Sequence, residues 1–226
     1  MRLTSLFSGG KDSTYATHLA QEQGHEIECL LTVEPRNPDS WMFHTVNLHL
    51  TPLLAQALGI KHVTVDTEGT KERELEDLER AISTLDVDGL VTGAIASNYQ
   101  RSRIDSLCSA LGLEHVTPLW GRDAGELLDE MISAGLLIVA TAVAAMGLDS
   151  TWLGRVLDDE ASNELKKIYE RFGVDVCGEG GEMETLVVDA PWFRSRLELV
   201  QTRPEWDGVR GVYIVEEVRL ISKYSP

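Results

Sequence analysis

Cysteine is scarce in this chain: there are three in 226 residues, and no two of them form a C-x-x-C pair. Cys29, Cys108 and Cys177 lie far apart in the sequence, which argues against both a disulfide framework and a cysteine-based zinc site. Isolated thiols of this kind are usually small core residues. We therefore expect three buried cysteines without a chemical role.

Long apolar runs are also missing. The longest, "GLLIVATAVAAMGL" (Gly135–Leu148), is too short for a membrane span and is typical of a buried core strand. The N-terminus reaches Ser8-Gly9-Gly10 after only a few apolar residues, so no signal peptide is predicted. We expect a cytoplasmic protein with no membrane partner.

Basic residues are few: the chain has 20 Lys and Arg but 37 Asp and Glu, which gives a formal net charge of −17. Nonspecific nucleic-acid binding depends on neutralising phosphates with Lys and Arg, so direct nucleic-acid binding is not expected. An acidic surface suits either a basic partner or simple solubility.

Strand-like apolar runs alternate with helix-like segments through the first half of the chain. This βαβα alternation predicts an α/β fold, a parallel sheet with helices on both faces. Strands are predicted at 3–7, 27–33, 62–67, 89–95 and 114–120, and helices at 13–24, 47–59 (with Pro52 in its first turn), 71–85 and 101–112.

The alternation changes after Gly121, which suggests a domain boundary near 120–123 and a smaller α+β domain behind it. Helices are predicted at 124–135 and 162–173, on either side of the apolar run. The C-terminal residues predict two antiparallel strands around the turn "PEWDG".

The segment "SGGKDS" (Ser8–Ser13) lies between the first strand and the first helix. Two glycines permit a sharp turn and a close approach to a ligand, and the following helix directs free N–H groups at a phosphate. Lys11 adds a positive charge, and Asp12 is expected either at the helix N-cap or at a magnesium ion. The spacing matches neither G-x-x-x-x-G-K-[ST] nor G-x-G-x-x-G. We expect an exposed phosphate-binding loop.

This segment resembles the PP-loop of the N-type ATP pyrophosphatases, a superfamily with an adenine nucleotide alpha-hydrolase-like fold. The resemblance implies cleavage of ATP between the α- and β-phosphates, with Mg2+ at Asp12. Gly93, at the end of the fourth strand, is expected to let the nucleotide approach closely. The implied ATP-binding residues are Ser8, Gly9, Gly10, Lys11, Asp12, Ser13, Val33 and Gly93.

Segments along nearly the whole chain resemble the diphthine–ammonia ligases, a family within that superfamily. They are "WMFHTVN" (41–47), "GAIASNYQRSR" (93–103), "PLWGR" (118–122), "GLDSTWLGR" (147–155) and "GEGGEMETLVVDAP" (178–191). Met183 departs from the family pattern, where an aromatic residue is expected. The resemblance implies that residues 1–122 form a PP-loop ATP-binding domain and residues 123–226 a C-terminal substrate-binding domain. It implies amidation of diphthine on translation elongation factor two with free ammonium, through an acyl-adenylate that releases AMP and pyrophosphate.

Glu179, Glu182 and Glu184 lie within six residues. Crowded carboxylates suit a cation or a proton transfer, and both diphthine and ammonium are cations. Trp120 or Tyr99 could add a cation–π contact. The expected catalytic residues are Lys11, Asp12, Glu182 and Glu184; the expected substrate-binding residues are His44, Ser97, Tyr99, Gln100, Arg101, Arg103, Trp120, Glu179, Gly180, Gly181 and Thr185.

Two alternatives remain from the sequence alone. One is a tRNA-modifying PP-loop enzyme, although sulfur-inserting members usually need paired cysteines and an acidic surface disfavours tRNA. The other is a module that binds ATP without turnover, in which the acidic segment would be unneeded. A homodimer is possible under any of these hypotheses.

Overall fold

The computed structural model describes residues 1–36, 46–68 and 73–223. Its packing separates two units. The first comprises Met1–Ser8, Asp12–Gln56 and Ile60–Trp120, and the second comprises Gly9–Lys11, Ala57–Gly59 and Gly121–Pro226.

The first unit contains a five-stranded parallel sheet in the order β3-β2-β1-β4-β5, which confirms the predicted fold class. The central strand β1 and its neighbour β4 are short; residues 3–5 of β1 and all of β4 are buried. The strands are β1 Arg2–Leu6, β2 Glu26–Pro35, β3 Lys61–Thr67, β4 Gly89–Val91 and β5 Glu114–Val116.

The strand order reverses between β1 and β4, and right-handed crossovers then place helices on both faces of the sheet. The helices are α1 Lys11–Glu22, α2 Thr51–Leu58, α3 Arg73–Ile82 and α4 Asn98–Leu111. A short 3-10 turn, Leu48–Leu50, precedes α2, and Pro52 lies in the first turn of α2 as predicted. One core cluster joins the strands to α3 and α4: Leu31, Val33, Leu78, Ile82, Leu90, Ile104, Leu107 and Cys108.

Two helices of the first unit begin earlier than the sequence predicts, as does the helix of the second unit that begins at Asp159. α1 begins at Lys11, so Asp12 lies in its first turn and the predicted N-cap position is wrong. α4 begins at Asn98 because the Ser97 hydroxyl caps it, accepting from the Gln100 N–H at 3.3 Å. The fourth strand is shorter than predicted, because the chain turns after Val91 toward this cap.

The second unit contains a four-stranded antiparallel sheet in the order β7-β6-β9-β8. The buried apolar run forms β6, as expected. Its strands are β6 Leu137–Val143, β7 Met183–Asp189, β8 Ser195–Trp206 and β9 Gly211–Ser222, and its helices are α5 Ala124–Ser133 and α6 Asp159–Phe172.

The C-terminal hairpin turns later than predicted. β8 continues through Pro204 to Trp206, and the turn falls at residues 207–210. The Asp207 carboxylate accepts from the N–H groups of Val209 and Arg210, both at 2.9 Å, which fixes the turn at this point. Pro204 is tolerated because β8 is an edge strand.

All three cysteines are buried and unbridged, as expected. Within the described residues, every helix is too short or too polar to cross a bilayer.

Candidate active site

The loop between β1 and α1 is held tightly by local hydrogen bonds. Gly9 has a φ of 79°, a conformation that favours glycine. The Ser13 hydroxyl lies 3.2 Å from both the backbone nitrogen and the hydroxyl of Ser8. The 12-residue helix α1 follows directly, so its N-terminal N–H groups and positive dipole end lie at the loop.

Gly93 lies against the first turn of α1. A Cβ at residue 93 would come within 2.6 Å of the Asp12 carbonyl carbon and 2.7 Å of the Ser13 nitrogen. From the sequence, this glycine is expected to let a nucleotide approach closely. In the structure, its missing side chain makes room for the protein backbone, so any larger residue would displace the start of α1.

Lys11 is 1% exposed, so the expectation of an exposed lysine on the loop is wrong. Its Nζ donates to the Cys177 carbonyl at 2.6 Å, and its N–H donates to the Thr185 hydroxyl at 3.1 Å. The Val187 N–H also donates to the Gly9 carbonyl at 2.9 Å. Three hydrogen bonds therefore join Gly9–Lys11 to residues on either side of the glutamate-bearing segment, residues 178–184.

That segment, residues 178–184, is organised by two carboxylates. Asp175 accepts from the N–H groups of Cys177 and Glu179, at 2.8 and 3.3 Å. Glu182 accepts from the Gly180 N–H at 2.7 Å. The Glu182 carboxylate thus has a structural role in the turn, which no sequence pattern indicated.

Glu179 and Glu184 are half-buried, as is Glu182. Glu184 pairs with Ala142 across the β6–β7 ladder, which gives it a defined position in the sheet. Met183, the departure from the family pattern, is 3% exposed and pairs with Val143. Its side chain contributes to the core, so the difference affects packing.

The residues predicted on α4 form stacked cation–aromatic pairs. The Arg101 guanidinium carbon lies 4.3 Å from the centre of the Trp120 ring, and that of Arg103 lies 5.2 Å from the centre of the Tyr99 ring. Trp120 and Tyr99 are the rings expected to contact a quaternary ammonium. One face of each is therefore already covered by an arginine. Arg101 also pairs with Asp105 at 3.6 Å.

Two histidine–threonine pairs near the ends of the strands were not identified from the sequence. His115 contacts the Asp105 carboxylate through Nδ1 at 2.6 Å and the Thr92 hydroxyl through Nε2 at 2.9 Å. On the other side of β1, the His62 Nε2 lies 2.9 Å from the Thr32 hydroxyl.

Thr32 in turn donates to the Phe7 carbonyl at 2.8 Å, next to the phosphate loop. Since the Thr32 hydroxyl proton is used in this way, His62 must donate from Nε2. Burial lowers the pKa of His62, which favours the neutral ring. No motif marks these histidines; only their positions on β3 and β5, the strands adjoining β2 and β4, could have suggested them.

The family models decide the assignment. The diphthamide synthase N-terminal domain matches residues 1–115, and the diphthamide synthase C-terminal domain matches residues 123–221. The chain belongs to the diphthamide synthase family. This membership favours the diphthine hypothesis over a tRNA-modifying enzyme or a module without turnover.

Curated relatives within this family carry the name diphthine–ammonia ligase. The Danio rerio protein is 36% identical over 219 residues, 87% of this chain and 86% of the relative. The Homo sapiens protein is 34% identical and covers 87% of this chain and 82% of the relative. The Saccharomyces cerevisiae protein is 32% identical over the whole chain, which spans 38% of that relative.

Among solved structures, a predicted subunit of tRNA methyltransferase from Methanocaldococcus jannaschii is 20% identical to this chain. The alignment covers 84% of this chain and 98% of that one, with a TM-score of 0.47.

The loop residues fit the ATP that a diphthamide synthase uses. A phosphate here could accept from the N–H groups at the start of α1 and from the hydroxyls of Ser8 and Ser13. The positive φ of Gly9 turns the backbone into this arrangement. Mg2+ is commonly bound by one or two carboxylates together with substrate phosphates, and Asp12 supplies one in the first turn of α1. Within the ranges that the structure describes, no three His, Cys, Asp or Glu side chains group as a metal site.

Two of the predicted site residues, Val33 and His44, contribute no described side chain to this site. The Val33 side chain is buried in the core cluster, so only its backbone could contact a nucleotide. His44 lies outside the described residues.

Proposed function

We propose that this protein is an ATP-dependent amide ligase that converts diphthine on translation elongation factor two to diphthamide. The observation that carries the proposal is the match of both diphthamide synthase domains, in order, across residues 1–115 and 123–221. The second substrate is free ammonium, and the site of action is the cytoplasm.

The first half-reaction is an adenylation. The diphthine carboxylate attacks the α-phosphorus of ATP, forming an acyl-adenylate while the bond to the β-phosphate breaks. Pyrophosphate leaves toward the Ser8–Ser13 loop, where helix N–H groups and the Lys11 charge stabilise the developing negative charge. Mg2+ held by Asp12 would neutralise further phosphate charge.

The second half-reaction forms the amide. Ammonia attacks the acyl carbon, and AMP leaves with the electron pair of the broken bond. Ammonium must lose a proton before it can attack, and a carboxylate can accept it. Glu184 is the stronger candidate, because the β6–β7 ladder gives it a defined position opposite Ala142, whereas the Glu182 carboxylate is part of its own turn.

Mass spectrometry of elongation factor two tests the proposal directly. Diphthine-bearing factor is incubated with the protein, ATP and ammonium, and the mass of the modified peptide is followed together with the nucleotide products. We expect conversion of the carboxylate to the amide, with one AMP and one pyrophosphate per amide formed. Omission of ammonium or of ATP is the matched control. Release of ADP and phosphate instead would overturn the proposed chemistry.

A further inference from the structure

An exposed apolar patch lies at one end of β6 and α6. Met146 is 71% exposed, Tyr169 55% and Phe172 38%. Gly147, in the loop after β6, packs closely against α6. A Cβ at this position would lie 2.9 Å from the Phe172 ring and 3.1 Å from the Ile168 side chain. Tyr169 and Phe172 are three residues apart on α6 and share a helix face. We call these residues, with Arg171, the Met146–Phe172 patch.

The composition of this patch is that of a protein interface. The Arg171 guanidinium carbon lies 4.9 Å from the centre of the Phe172 ring. Aromatic residues, Met and Arg are enriched where proteins bind one another, and Tyr and Arg are frequent among the residues that dominate binding energy. Adjacent exposed apolar side chains of this kind mark interaction sites more often than isolated ones do.

The patch is continuous with the glutamate-bearing segment. The Ala144 N–H donates to the Glu182 carbonyl at 2.9 Å, and a turn closed by Leu148 N–H to Ala145 carbonyl at 3.1 Å carries Met146. On the other side, α6 ends at Phe172, six residues before Gly178. Both elements of the patch therefore lead directly to residues 178–184.

We propose that the Met146–Phe172 patch is the docking surface for the diphthine-bearing protein. This inference rests on the proposed function. Diphthine is a side chain of a folded protein. When it enters the site, the protein surface around it must contact the enzyme next to the glutamates that receive its cationic group. The half-buried Glu179 and Glu184 offer charge complementary to the quaternary ammonium. The neighbouring apolar patch then contacts the protein surface around the modified histidine.

Two variants with exposed side chains test this: Met146→Asp and Tyr169→Asp. Each puts a charge into the patch without emptying the core. Val200→Asp is the matched control, since Val200 is 39% exposed and lies on β8 next to Gln201, which pairs with Glu217. Its position is about 20 Å along the hairpin from Gly211, the residue that pairs with Val143. Met146→Leu and Tyr169→Phe keep the apolar surface.

The measurements are the Kd for diphthine-bearing elongation factor two and, in amidation assays, its KM and the kcat at saturation. Both Asp variants should raise Kd and KM on the order of tenfold. They should leave kcat, the ATP dependence and the melting temperature unchanged, and the control and conservative variants should match the wild type.

An unchanged Kd in both Asp variants would overturn the docking proposal, as would a wild type that does not bind the factor. A change confined to the oligomeric state in sedimentation would assign the patch to a second copy of this chain and would also overturn it. Weakened binding together with a wild type that forms no amide would support the patch while refuting the proposed function.

Discussion

Lys11 carries the positive charge of the phosphate loop on a side chain that is almost fully buried. A buried ammonium needs partners, and the Cys177 carbonyl is one of them. Glu182 is likewise committed, through the Gly180 N–H, to the turn in which it lies. At the scale of single residues, the catalytic candidates therefore also make structural hydrogen bonds. Variants must be chosen to separate an effect on catalysis from an effect on stability.

The first prediction concerns Lys11→Ala and Lys11→Met. Both should lower ATP-dependent AMP release on the order of 100-fold, because both remove the charge that we propose stabilises the leaving pyrophosphate. Both should also destabilise the fold by about 1–3 kcal/mol, since the buried Cys177 carbonyl loses its donor. Met should cost less than Ala, because it keeps the apolar stem. Product analysis and thermal unfolding check the two effects; wild-type AMP release in both variants would contradict the role of Lys11.

The second prediction separates two neighbouring carboxylates. Glu184→Gln should lower amide formation on the order of 100-fold and recover partly as pH rises toward the pKa of ammonium, because free ammonia needs no base. Glu182→Gln should have a smaller effect, since a glutamine oxygen can still accept from the Gly180 N–H. Amide formation across pH and nucleotide titration are measured for each. Weakened ATP binding with normal amidation in Glu184→Gln would show that this residue serves the nucleotide.

At the scale of elements, the parallel sheet positions the loop through its neighbours. β2 holds the residue before the loop, because Thr32 donates to the Phe7 carbonyl. β3 supports β2 in turn through His62. Gly93, two residues after β4, lies against the start of α1. The loop conformation therefore depends on contacts from strands on both sides of β1.

The third prediction follows from the lowered pKa of His62. Burial lowers this pKa in the folded state, so below about pH 6.5 the unfolded chain binds the proton first. The free energy of unfolding should therefore fall as pH decreases from about 7.5 to 5.5, through the ordinary histidine range. Chemical denaturation of the wild type and of His62→Gln at both pH values measures it.

His62→Gln should show a weaker pH dependence, because glutamine can still donate to Thr32 but does not titrate. Part of the dependence should remain, since burial also lowers the pKa of His18. Equal pH dependence in wild type and variant would contradict the assignment.

The whole molecule carries a formal net charge of −17. Its ion pairs are largely on the surface, as with Arg203 and Glu216, whose side chains are 51% and 34% exposed. Such pairs contribute little, whereas self-repulsion acts over the entire surface. Excess negative charge is therefore expected to limit stability.

The fourth prediction is that added salt stabilises the protein. The melting temperature should rise between low salt and about 0.3 M NaCl at pH 7, because screening weakens repulsion between like charges. Near the sequence pI of about 4.7, the salt effect should vanish. A melting temperature that falls with salt at pH 7 would show that the surface ion pairs outweigh the repulsion.

Local signals in the sequence determined the order of strands and helices, the parallel sheet and the position of the loop between β1 and α1. Periodicity, glycines and capping residues act within a few positions, so they can be recognised without the fold. Element ends were less accurate where a cap such as Ser97 or a turn such as that at Asp207 decided them.

Only the tertiary structure decided how the candidate site is held together. Lys11 and Cys177 are 166 positions apart, and Thr92 and His115 are 23 apart. The Thr92–His115 contact depends on the pairing of β4 with β5, and the Lys11–Cys177 bond on the folding of residues 9–11 with the C-terminal half of the chain. No local pattern encodes such contacts, because they form only after distant segments have been brought to the same place by the burial of the core.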